Sequence, residues 1–177
     1  VRISAQKTRI KKMVTEIDHH AIKTRIKEII QADADIYDSS GSVGKFVDCF
    51  VGRPYNDAIT AHPTPYLFIT NDDSLETQRN IGVVQSNTVQ ATEHTVRYLL
   101  IMVDQAQDGR QVEKDLDALG KNLLQVIKGK FELRDSSGAD PKCNYSFPDR
   151  VRVFNTSMNG KPVQARTIFL RLEIITS

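Results

Sequence analysis

The segment Thr-Glu-His-Thr-Val-Arg-Tyr-Leu-Leu-Ile-Met-Val, residues 92–103, limits the choice of fold more than any other part of the chain. Side chains of a pleated strand alternate between two faces, which puts Val96, Tyr98, Leu100 and Met102 on one side and Leu99, Ile101 and Val103 on the other. The first half alternates with Glu93, Thr95 and Arg97, whereas the second half is apolar on both faces. A strand that is apolar on both faces needs cover on both, so this half belongs inside a sheet or inside an interface between subunits.

Two amphipathic helices are expected as cover. Ile17, Ala21, Ile22, Ile26, Ile29 and Ile30 recur at near-helical spacing and form one stripe, with Lys23, Arg25 and Lys27 mostly off it. Thr15 and Asp18 resemble a capping box, which places the start near Thr15 and the end by Asp35. The second helix follows Asp108 as cap, carries Val112, Leu116, Leu119, Leu123 and Ile127 at intervals of three or four, and has Gly129 at the C-cap position.

Further strands are expected at 46–51, ended by Gly52-Arg53-Pro54, and at 66–70 after Pro63 and Pro65. Asn159-Gly160 is the preferred pair for a tight hairpin turn, since both central residues need positive φ. With that turn, Val151 lies opposite Ile168, on the face of Leu170, Leu172 and Ile174, so register and apolar pattern agree. The expected fold class is α+β, a mainly antiparallel sheet covered by two helices and ending in a β-hairpin. Residues 71–87 are polar and weakly periodic and read as a long exposed loop, with a short hairpin around 81–84; residues 130–150 read as a mixed insert.

The chain has 177 residues, 40% of them hydrophobic, enough for one domain over 15–177. Residues 1–14 form a basic arm with Arg2, Lys7, Arg9, Lys11 and Lys12 and no acid. Such an arm is either a solvated leader or a docking element for an acidic neighbour or nucleic acid. A net charge of +2 does not describe a polyanion binder as a whole. No apolar run is long enough to cross a bilayer, and the start lacks the apolar centre of a signal peptide. Cys49 and Cys143 are too far apart in sequence to suggest a metal pair, and synthesis in a reducing cytoplasm is expected, a disulfide remaining open.

The residues that carry chemistry elsewhere are in the wrong pattern here. Gly41-Ser42-Val43-Gly44-Lys45 resembles a phosphate loop, but Ser39 stands where a glycine is needed and Phe46 where a magnesium-binding hydroxyl is needed. Asp33, Asp35 and Asp38 would begin a calcium loop, but Tyr37, Asp38 and Gly44 break its ligand pattern. His19 and His20 are adjacent on a helix and diverge, while His62 and His94 lie in a loop and on a strand. Asn144-Tyr145-Ser146 and Asn155-Thr156-Ser157 fit the glycosylation pattern, which matters only in a secreted chain. The residues point to no enzyme, cofactor or metal, although a site assembled from distant positions stays open.

The order of elements is that of the helix 17–30, the Gly52-Arg53-Pro54 connection and the strand Pro65-Tyr66-Leu67-Phe68-Ile69-Thr70 with the polar segment after it. The strand-to-helix unit 92–127 and the closing hairpin complete it. This order resembles the tail-terminator, or tail-completion, proteins of long-tailed bacteriophages over residues 15–176. The resemblance implies a virion protein, made in the host cytoplasm, that forms a hexameric ring capping the tail tube. Its implied partners are copies of itself, the tail tube protein and a head or neck connector protein. Candidate assembly contacts are then the arm residues Arg2, Lys7, Arg9, Lys11 and Lys12, with Arg53, Asp72, Asp73, Arg79, Leu99 and Ile101. The basic arm and the insert 130–150 depart from the family pattern. Alternatives are another neck or head-completion connector ring, or a cellular ligand-binding α+β module.

Overall fold

The computed structural model describes residues 17–52, 64–81, 91–105, 109–130, 132–134, 142–158 and 161–176. In chain order these form α1 (His19–Gln31), β1 (Asp48–Val51), β2 (Tyr66–Ile81), β3 (Ala91–Gln105), α2 (Gly109–Gly129), β4 (Tyr145–Met158) and β5 (Lys161–Thr176). The strands make one five-stranded sheet in the order β1-β2-β3-β5-β4. Only β1 and β2 run parallel; every other neighbouring pair is antiparallel. The fold is α+β and ends in the paired strands β4 and β5.

The doubly apolar half of β3 sits where its pattern demands, between β2 and β5 in the middle of the sheet. Val96, Tyr98, Leu100 and Met102 are buried against the helices. The same core takes Leu67 and Ile69 from β2 and Ile168, Leu170 and Leu172 from β5. α1 contributes Ile22, Ile26 and Ile30, and α2 contributes Val112, Leu116, Leu119, Leu123 and Ile127. Burying a side chain of this size is worth about 1.5–3 kcal/mol, so the helices are held by their stripes and not by intrinsic propensity. Among the described residues, both helices belong to this cluster, and the cluster on the opposite face of the sheet contains no helical residue.

Several boundaries move. α1 starts at His19 instead of near Thr15, because Asp18 is the cap: its carboxylate accepts the Ala21 amide at 2.9 Å. Thr15 and Asp108 lie outside the described residues. The helix ends at Gln31, by Asp35 as expected. Gly129 does not form a left-handed C-cap; it is the last helical residue, and the Lys130 amide closes the end on the Ile127 carbonyl at 3.0 Å. The first strand is shorter than 46–51, although Phe46 bridges to Tyr37 just before it.

Two segments expected to be irregular are strand. Residues 71–81, assigned to a polar loop, continue β2 along β3, with pairs such as Thr77 with Thr95 and Arg79 with Glu93. The alternation is lost because residues 72–75 stand opposite Arg97 alone, a bulge that shifts the faces out of phase. Residues 82–90, including the rest of that loop, lie outside the described residues. The end of the supposed insert, from Tyr145 to Arg150, opens β4. Pro148 is tolerated there because β4 is an edge strand, and a second irregularity follows between Pro148 and Arg150. Val151 does pair with Ile168, the register expected from the Asn159-Gly160 turn, whose two residues are themselves outside the described set.

Candidate assembly surface

Among the described residues, the sheet face away from α1 and α2 carries the most distinctive surface. Tyr66, Phe68, Val103 and Val163 form a second apolar cluster there, with Phe50, Ile101 and Ala165 packed against it. This follows from the pleat: each of these residues is one position out of phase with the neighbours that fill the helix-side core. Leu99 is half-buried on the same face, paired with Thr70 on one side and Phe169 on the other.

Arginines surround the Phe169 ring. Arg150 lies over it with its guanidinium carbon 4.1 Å from the centroid, Arg152 at 5.4 Å and Arg97 at 5.8 Å. Arg171 lies 5.3 Å above the Phe147 ring. A guanidinium is attracted to the negative face of an aromatic ring, which fixes the long side chain against the sheet. Arg97 is neutralised from two sides, by Asp72 at 3.2 Å and by Asp149 at 3.1 Å. Asp72 comes from the bulge of β2 and Asp149 from the irregularity of β4, so both breaks in register deliver a carboxylate to one cation. On the strand beyond it Phe154, 66% exposed, shares this face, whereas the exposed Val151 and Val153 project from the helix side.

The sequence candidates therefore divide. Leu99 and Ile101 share this face, and Asp72 joins it through Arg97. Arg79 is exposed further along β2, and Asp73 lies in the bulge. Arg2, Lys7, Arg9, Lys11, Lys12 and Arg53 lie outside the described residues. Sequence reasoning missed Arg97, Arg150, Arg152 and Phe169. The alternation of Arg150, Arg152 and Phe154 was a usable signal, hidden by assigning residues up to 150 to an insert.

Elsewhere, the polar groups of the turn after α1 are engaged within the fold. The Asp38 carboxylate accepts the Ser40 amide at 2.8 Å, the Ser40 hydroxyl at 2.6 Å and the Ser42 hydroxyl. The two serine hydroxyls hold its pKa down, at about 2. The glycines of this turn, Gly41 and Gly44, take positive φ of 88° and 77°, and Lys45 donates to the Ala34 carbonyl at 2.6 Å. The segment that resembles a phosphate loop is thus a turn organised by Asp38, and Asp33 similarly accepts the Asp35 amide at 3.0 Å. His19 Nδ1 meets the Tyr98 hydroxyl at 2.8 Å, joining α1 to β3, while His94 is buried and His20 exposed. His62 lies outside the described residues. Among the described residues neither cysteine forms a disulfide, and burial pushes each thiol up to about 12.

A cleft of about 530 Å³ lies between the helices, lined by Arg25, Glu28, Asp33, Val126, Lys130 and Arg134 among others. Arg25 pairs there with Glu28 at 3.1 Å and Arg134 pairs with Glu132, so its charges are largely answered from within the chain. No helix among the described residues is long and apolar enough to cross a membrane. Compared with protein-family models and with curated protein sequences, the chain matches none.

Proposed function

We propose that this chain is a structural subunit of a bacteriophage tail, forming a ring that ends the tail tube and joins it to the head. The observation that carries this reading is the two-sided sheet, which among the described residues is covered by α1 and α2 on one face and is apolar and arginine-rich on the other. A subunit of a closed ring needs a stiff body and side surfaces that match its neighbours, and it needs no bond-making chemistry. A cap must also fit the tube on one side and refuse another tube subunit on the other, which is specificity by mismatch. A neck or head-completion ring would use the same kind of surface at an adjacent position.

The test is complementation of a virus lacking the gene, scored by tail length and head attachment in micrographs. Without the protein, heads and tube subunits should be intact, joining should fail and some tubes should overrun their normal length. Tails of normal length joined to heads would exclude the terminator role. Normal tube length with failed joining would move the chain to the connector position.

A further inference from the structure

Arg150 and Arg152 are two residues apart on β4, so they project from the same face of the outermost strand. Arg97 and Arg171 of the same surface pair with Asp72, Asp149 and Glu173. Arg150 and Arg152 rest on the Phe169 ring and have no carboxylate partner among the described residues. The intervening positions, Val151 and Val153, point to the other face and are 44% and 49% exposed. No described strand pairs with the outer edge of β4, and residues 150–155 are exposed throughout. A long apolar edge strand is a ready template for another strand, because alternate amides and carbonyls lack ladder partners.

We propose that residues 150–155 of β4 take up an extended acidic segment of another protein as a sixth strand, one in which acidic and apolar side chains alternate. Directly opposed residues of neighbouring strands share a face. The incoming residues opposite Arg150 and Arg152 are therefore acidic, and those opposite Val151 and Val153 are apolar. The backbone supplies the ladder bonds and the side chains supply the selectivity, as in other cases of strand addition. The two guanidinium groups are already held against Phe169, so ordering them on binding costs little.

A second copy of this chain docked through its opposite edge fits poorly. The opposite edge of the sheet is the short strand Asp48-Cys49-Phe50-Val51, which offers one acid for two arginines. A single-stranded nucleic acid would satisfy the guanidinium groups, but the Phe169 ring it would stack on is already covered by Arg150.

Fluorescence anisotropy with labelled synthetic peptides tests the proposal on the full chain. A peptide alternating glutamate and valine should bind, and one alternating lysine and valine should not. N-methylation of every second amide on the pairing edge should abolish binding, since it blocks the ladder and leaves the charge unchanged. The double variant Arg150→Gln, Arg152→Gln should stay folded, melting slightly lower for its two lost ring contacts, and bind about tenfold more weakly, the loss of two exposed ion pairs. The proposal is overturned if the glutamate-valine peptide does not bind or the N-methylated peptide binds equally well. Equal affinity for a peptide with its glutamates and valines in separate blocks, or tighter binding of oligothymidylate of matched charge, would also overturn it. The outcome is separate from tail length in micrographs, so strand addition and tail termination succeed or fail independently.

Discussion

Asp104 shows at the scale of one residue how the sheet penalises a charge. It is 6% exposed at the end of β3, and burial raises its pKa above the ordinary carboxylate value, with Asp115 adding to the rise. The folded state therefore holds the proton more tightly than the unfolded chain does. Ionised Asp104 costs stability above its raised pKa, and the cost vanishes as pH falls below the ordinary value of about 4. Asp104→Asn keeps an oxygen to accept the Gln105 amide, now made at 2.8 Å, and loses the charge. It should melt higher than the parent at pH 7, with the gap closing towards pH 3; a constant gap would show that the charge is not the cause. The thiols are a second case. Cys49 and Cys143 are 0% and 5% exposed and both are held protonated well above neutrality. Iodoacetamide should label neither in the folded protein at pH 8 and both in denaturant, as read by mass spectrometry.

At the scale of elements, the legible features were those in which one periodicity runs unbroken. The α2 stripe from Val112 to Ile127 and the pairing of Val151 with Ile168 were readable because spacing alone fixes them. The extension of β2 was not, because residues 72–75 break its phase, and the start of β4 was hidden behind Pro148. The surface was less legible still: Arg97 takes its carboxylates from strands remote in sequence, and no local pattern announces such a meeting. Leu100, fully buried on the helix side of β3, should cost about 2–5 kcal/mol when cut to alanine, measurable by urea unfolding. Leu99 and Ile101 behave differently. Ile101 packs into the second cluster, so Ile101→Glu should destabilise the monomer itself. Leu99 belongs to neither cluster, so Leu99→Glu should keep most of the melting temperature and lose self-association in sedimentation. Unchanged association would remove Leu99 from the contact surface.

Across the whole molecule, the pairing of strands is uneven. β3 and β5 run side by side in unbroken register from Thr92 with Thr176 to Gln105 with Val163. Both flanking ladders, β2 on β3 and β4 on β5, are interrupted. Pulled lengthwise, an unbroken antiparallel ladder shares the load among many bonds at once, whereas a ladder with a gap yields first at the gap. The protein thus has a stiff spine between two more compliant flanks. Bending or twisting forces transmitted through a neighbour would be taken up near Asp72 and near Asp149. Both residues hold on to Arg97, whose side chain acts as a tie across the spine between the two places where the sheet gives most easily.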